Sequence, residues 1–488
     1  MPPTAQPRYT RSRGRRLAVI LASTAALAAT LIGGLREAGA KQPLVAPAPA
    51  PAATHTSTPR ALGNGEGAYE PQRIVVRYSS SNASTARIAG SPPSTSSESH
   101  ENSPTTRLLS LPAGANLDAA LTKLRGEKNV VWAVPDYIAH ATSALIPNDP
   151  GTSGAPGDWR QLQWNFNGPF GVNATQAWSN VLADRAPGGS RVVVAVLDTG
   201  VAYANRGNYR RSPDFHSYTF VQGHDFIAGT PYANDHNGHG TFVAGTIAEA
   251  TDNRYGLTGL AYDARIMPVR VLDASGEGDA SVIAEGVRFA VNHGAQVINL
   301  SLEFSAEVSA SDIPELMEAL RYAYRRGVTV VAAAGNEGSR SVPYPARAPH
   351  VIAVGATTEH GCLASYSNYG RHITLVAPGG GPDATLPGDP NCNPELPGGR
   401  DVFQMTFTGS SPRVFGFPNG YEGTSMATPH VTATVALILA AHILGPKPTP
   451  SRITARLVAT ARKMGGPADR SFYGAGLLDA AAATAPSG

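Results

Sequence analysis

The chain has 488 residues, 42% of them hydrophobic and 15% charged, with a formal net charge of +3. That length suits two or three domains with a large core, while so small a charge, without basic patches interleaved with aromatics, argues against nucleic acid as a partner. Two cysteines, Cys362 and Cys392, are too few for a disulfide-built scaffold and too few for a zinc site on their own.

Taken in order, the chain opens on a targeting segment over residues 1–40. Arg8, Arg11, Arg13, Arg15 and Arg16 precede the apolar run 17–35, and Ala38-Gly39-Ala40 has the small-x-small form of a cleavage site. A retained membrane anchor is the alternative, because the run is nearly long enough to span; Gly33 and Gly34 weaken it. A lipoprotein anchor is excluded, since no cysteine lies nearby to carry the lipid. Arg15-Arg16 is also compatible with a twin-arginine signal. Residues 41–68, rich in Pro, Ala and Thr, cannot bury enough surface to offset the entropy of ordering and read as a linker.

Residues 69–142 read as a small α+β domain. Strands are expected over 73–78, 107–111 and 130–134 from their β-branched alternation. Leu117, Ala120, Leu121 and Leu124 follow a candidate Asn116 cap at helical spacing. The Ser-rich stretch 91–103 is expected to be a disordered loop. Across 143–488 the pattern changes to short, wholly apolar strands at 192–197, 266–272, 297–300, 328–333, 351–354 and 373–376. Helical stretches at 280–292 and 312–326 alternate with them. Such runs are buried on both faces, so the expected fold is α/β, a mostly parallel sheet with helices on both sides. Residues 431–444, apolar nearly all round, read as a buried central helix too short to span a bilayer.

Three motifs carry the chemistry. Val192-Val193-Val194-Ala195-Val196-Leu197-Asp198-Thr199-Gly200 sets an aspartate at a strand's carboxyl end, where sites in such sheets lie. Asn237-Gly238-His239-Gly240-Thr241 supplies a histidine flanked by glycines. Gly423-Thr424-Ser425-Met426-Ala427-Thr428-Pro429-His430 sets a serine at the start of the central helix, where unpaired N–H groups favour negative charge. Alone, Ser425 reads as a helix cap. In the chain order Asp, His, Ser, the three motifs resemble those of the subtilisin-like serine proteases, and the resemblance extends from about Pro147 onward.

The resemblance implies a serine endopeptidase acting on proteins or peptides, with Ser425 as nucleophile, His239 as base and Asp198 as its orienting partner. It implies that Asn336, in Ala334-Gly335-Asn336-Glu337-Gly338, supplies an oxyanion donor beside the Ser425 N–H. It implies that substrate lies as an added strand between Gly276-Glu277-Gly278 and Ser301-Leu302-Glu303. Glu303 departs from the family, which usually has glycine there; a carboxylate either narrows the specificity pocket or favours a basic residue, or points to solvent. A structural calcium ion is implied at Asp149, Asp214, Ala250, Asn253, Tyr255 and Leu257, with Arg254 an unusual neighbour. The run 136–142 resembles the tail of a subtilase pro-domain, implying that residues 69–142 serve as intramolecular chaperone and inhibitor. Secretion, to the outside of the cell or to a periplasm, and a monomer without a stable membrane anchor follow. In a secreted chain with no competing thiol, Cys362 and Cys392 are expected to pair.

Two other classes fit less well. Lipases of the α/β-hydrolase type carry G-x-S-x-G in the order Ser, Asp, His, whereas this chain has G-x-S-x-A with the serine last. A catalytically dead binding protein would be expected to lack one of Asp198, His239, Asn336 and Ser425, and all are present.

Overall fold

The computed structural model describes residues 69–80, 97–100, 103–112, 114–137, 145–393, 395–465 and 470–486. The expected signal segment, the linker and the junction at 142–143 lie outside the described residues. The chain divides into two compact units, Met1–Ala139 and His140–Gly488.

In the first unit, β1 (Tyr69–Tyr78), β2 (Ser97–His100), β3 (Ser103–Ser110) and β4 (Val130–Tyr137) form a four-stranded sheet in the order β2-β3-β1-β4. Every pairing in it is antiparallel. Helix α1 (Leu117–Arg125) starts where the spacing puts it, with the Asn116 side chain accepting from the Ala119 N–H at 3.0 Å. Its Leu121 and Leu124 close over Ile74, Val76 and Leu109 of the sheet. The expected loop over 91–103 is corrected in part, because Ser97–His100 adds an edge strand to β3. A polar edge strand is held by backbone bonds and carries no apolar alternation for the sequence to display.

The second unit is built on a parallel sheet of seven strands. They are β5 (Val193–Asp198), β6 (His224–Asp225), β7 (Arg265–Arg270), β8 (Val297–Leu300), β9 (Thr329–Ala333), β10 (Val351–Thr357) and β11 (Leu375–Pro378). Their order is β11-β10-β9-β8-β5-β7-β6. Alternate residues of β5 enter different cores: Val194 and Val196 one, Ala195 and Leu197 the other. Helices α3 (Ala280–Asn292) and α4 (Pro314–Arg325) cover the Ala195 face, while α2 (His239–Ala248) and α5 (Thr424–Ala440) cover the opposite one. Fully burying one Val or Leu of this kind is worth about 1.5–3 kcal/mol, so both faces are needed to hold the sheet.

Helix α5 begins at Thr424 and ends at Ala440, earlier at both ends than the expected span 431–444. Pro429 inside it obscures the start, since proline has no N–H to give the carbonyl one turn back. That carbonyl belongs to Ser425, and Ser301 Oγ donates to it at 2.9 Å instead. A hydroxyl from β8's end thus allows the helix to begin before its proline. Cys362 and Cys392 form a disulfide across 30 residues, a closure worth roughly 3–4 kcal/mol. Among the described residues, no helix is long and apolar enough to cross a membrane.

Candidate active site

Asp198 is the last residue of β5, and its side chain is fully buried. His239 opens α2, where its ring Nδ1 meets Asp198 Oδ1 at 2.7 Å. Their closeness depends on Gly240, because a Cβ there would lie 2.0 Å from the Gly200 carbonyl oxygen and 3.0 Å from Asp198 Oδ1. Burial disfavours the charged His239 ring, but the Asp198 charge and hydrogen bond outweigh it, so the histidine pKa is raised overall. His430 behaves oppositely. Fully buried, with Nδ1 on the Met426 carbonyl and Nε2 on Asn165, it is pushed down to about 4 by burial and is a core residue.

Two residues that sequence reasoning missed hold this pair. Buried Asp235 accepts from the N–H groups of Asn237 and Gly238 through Oδ1, and from the Thr241 N–H and hydroxyl through Oδ2. Thr199 donates its hydroxyl to Asp235 and accepts the Gly240 N–H. The turn before α2 is thereby tied to the end of β5. The available signal was an aspartate just ahead of a helix start, the composition of a local side-chain turn.

Ser425 lies in the first turn of α5, and its Oγ donates to the Ser301 carbonyl oxygen at 3.2 Å. Asn336 follows β9. Its Oδ1 accepts the Thr424 N–H at 2.8 Å and the Thr424 hydroxyl at 3.1 Å, which turns the Nδ2 end toward Glu303, whose Oε1 accepts at 3.4 Å. Thr424 is a third residue the sequence did not single out. His239, Ser425, Gly276, Glu277, Gly278, Ser301, Leu302 and Glu303 all line one cleft of about 510 Å³. Part of its lining is a tight turn, in which Asp273 accepts the N–H groups of Ser275 and Glu277.

A second cluster gathers part of the expected calcium set. Asp149 accepts the N–H groups of Asp252 and Asn253. Asp214 accepts from Asn253 Nδ2 and from the Leu257 N–H, and the Ala250 N–H bonds the Asp214 carbonyl. Burial first raises Asp149 to about 6, and raises Asp214 too, with Asp149 adding repulsion. Glu249, also fully buried, is raised by burial and by Asp214. Tyr255 has an exposed side chain, so only its backbone is a candidate donor. Among the described residues, no three His, Cys, Asp or Glu side chains are arranged to hold a metal.

Residues 189–476 match the subtilase family, peptidase S8, and residues 56–136 match the fervidolysin N-terminal prodomain. Subtilisin Savinase from Lederbergia lenta is 38% identical over 316 residues, covering 65% of this chain and 98% of that protein. An alkaline protease from Alkalihalobacillus alcalophilus is 38% identical over the same length, covering 70% of its own chain. Among solved structures, a protease from Pseudoalteromonas arctica PAMC 21717 is similar with a TM-score of 0.55 at 32% identity, over 70% of this chain and 99% of that one. Because the family match runs from before β5 to beyond α5, the chain belongs to the subtilase family and is a serine endopeptidase with a prodomain-like N-terminal segment.

Proposed function

We propose that the enzyme cuts peptide bonds through Ser425, His239, Asp198 and Asn336, with an acyl-enzyme intermediate. A neutral hydroxyl is a weak nucleophile, so a base must take its proton as it attacks. His239 is that base, and the bond to Asp198 fixes its tautomer: with Nδ1–H donated to Oδ1, Nε2 is left to accept from Ser425. Asp198 then stabilises the imidazolium. The Ser425 N–H and Asn336 Nδ2 receive the oxyanion. Substrate is held as a strand between residues 275–278 and 301–303, both of which line the cleft. One observation carries this reading, the 2.7 Å Asp198–His239 contact opening on the same cleft as Ser425. A fluorophosphonate should label the native enzyme at Ser425; a label on another serine, or none, would overturn it.

The pH profile follows from the histidine. His239 must be neutral to act, and its pKa lies above the ordinary value of 6.5, so kcat/KM should fall with acid at a midpoint above that value. Asp198→Asn should shift the midpoint down while also lowering the rate. A parent midpoint at or below the ordinary value would contradict the Asp198–His239 assignment.

Calcium is proposed as a structural ion. The chemistry of the residues suits it: Asp149 and Asp214 are buried carboxylates raised by that burial, Asn253 gives its amide to Asp214, and the backbone carbonyls of Ala250, Tyr255 and Leu257 would add neutral oxygens. Bound there, the ion would supply positive charge and tie residues 149, 214 and 250–257 together. A ligand at a hundredfold its Kd stabilises the native state by about 2.7 kcal/mol. Chelation should therefore lower the thermal midpoint of the mature enzyme, and Asp214→Ala should remove that response. Equal midpoints with and without chelator would sink the site.

We further propose that residues 1–40 direct export, 41–68 link, and 69–142 fold as the pro-domain, chaperone and inhibitor of a monomeric catalytic domain over 143–488. The match of 56–136 to a prodomain family supports the third assignment.

A further inference from the structure

Glu303 stands where a glycine is usual in the family, and its surroundings give it a use. It lies just past Ser301, whose carbonyl oxygen accepts the Ser425 hydroxyl. Its Oε1 holds the Asn336 amide, and its Oε2 is buried without a donor. Glu303 and Glu337 converge over Gly335, where a Cβ would be 2.2 Å from Glu303 Oε2 and 3.1 Å from Glu337 Oε2. Glu337 is itself bonded by Asn368 Nδ2 at 2.5 Å. Glu303 lines the cleft and Glu337 stands behind it; the ionisable groups that line the cleft with Glu303 are Glu277 and His239, and among the described residues no lysine or arginine does.

The two carboxylates face each other with Glu303 Oε2 lacking a donor, and have two options in the free enzyme. They share a proton, or they stay ionised and repel. Burial first, then the Glu337 charge, pushes Glu303 up to about 7, so both states lie within reach of neutral pH. A cation satisfies the pair without a proton. The cleft can take a long one: Leu272, Ile283, Leu302 and Phe304 line it, and an aliphatic stem can lie along them while its charged head reaches the carboxylates. The substrate residue whose carbonyl carbon Ser425 attacks has its carbonyl oxygen at Asn336, so its own side chain is the one that passes Glu303.

We propose that Glu303, backed by Glu337, determines specificity for cleavage after lysine or arginine, the substrate cation taking the free carboxylate oxygen and drawing Glu303 off Asn336 so that the amide meets the oxyanion. This rests on Ser425 and Asn336 having the roles given above. In the free enzyme Asn336 is then held by Glu303, and a substrate with the right charge releases it.

The test compares two fluorogenic peptides that differ only in arginine or leucine before the scissile bond, with active enzyme counted by fluorophosphonate labelling. At alkaline pH the parent should favour arginine in kcat/KM by at least about tenfold, as expected where a buried polar group is otherwise unpaired. That ratio should shrink as pH falls through the Glu303 transition and the pair gains its proton. Glu303→Gln should abolish most of the preference, Glu303→Asp should restore part of it, and Glu337→Gln should weaken it less than Glu303→Gln. A parent that prefers leucine, or a Glu303→Gln enzyme with an undiminished ratio, would overturn the proposal. If Glu303→Gln does not fold, the parent decides: a ratio unchanged across the pH range overturns it, and one that falls with acid supports it. Failure of the nucleophile assignment would instead appear as absence of label on Ser425.

Discussion

Ser425→Ala should lose hydrolysis of casein and of peptides by about a million-fold, a scale borrowed from removal of the equivalent serine in a subtilisin, with a native circular dichroism spectrum. The size follows from what is removed. In the proposed mechanism His239 and Asp198 would remain in contact, but the base would have no hydroxyl to activate, and the donors at Asn336 and the residue-425 N–H could act only on attack by water. The fold should tolerate the change. Ser425 Oγ makes one hydrogen bond, to the Ser301 carbonyl oxygen, and losing such a bond costs about 0.5–1.5 kcal/mol. Its backbone carbonyl, which Ser301 Oγ caps, is untouched. A purified variant retaining more than a few per cent of parental activity would remove Ser425 from the mechanism.

What was legible in the sequence is what local pattern determines. Residues 280–292 show helical spacing, and the helix has those bounds; the strand expected at 297–300 also matches. Buried parallel strands must be apolar on both faces, so β5, β7, β8, β9, β10 and β11 announce themselves. Strand β6, only His224–Asp225, is too short to leave a pattern. Asp198, His239 and Ser425 were singled out because their three motifs, in that order, resemble those of the subtilisin-like serine proteases, and Gly240 shows a steric need behind one motif position. Asp235, Thr199 and Thr424 act through hydrogen bonds that exist only after the chain has folded, and no periodicity marks them. The start of α5 was hidden by Pro429, whose conflict with helix is relieved by a hydroxyl 128 positions upstream at Ser301. The Glu303–Asn336 bond joins two loops 33 residues apart, so sequence could identify an unusual glutamate without showing what it holds.

Maturation should be self-cleavage that leaves an inhibitor behind. In a Ser425→Ala precursor the pro-domain should stay attached, whereas N-terminal sequencing of the parent should begin within about two residues of Ser143. The first unit has its own core around Ile74, Val76, Leu121 and Leu124, and its last strand runs to Tyr137. If residues 138–142 reach the enzyme's own nucleophile, their attachment to it would make the cut effectively unimolecular, which is worth up to roughly 7–11 kcal/mol of barrier. After the cut, the new carboxyl end is a product that the cleft walls can hold by strand pairing, and the folded unit adds binding area that a free peptide lacks. Residues 69–142 added back in isolation should therefore inhibit the mature enzyme more strongly than the peptide 136–142 alone. Both inhibitors end at the same residue, so the difference between them measures the folded unit. A Ser425→Ala precursor that loses its pro-domain at the normal rate, with no other protease present, would show that processing is not the enzyme's own work; equal inhibition by domain and peptide would show that the folded unit contributes nothing once the bond is cut.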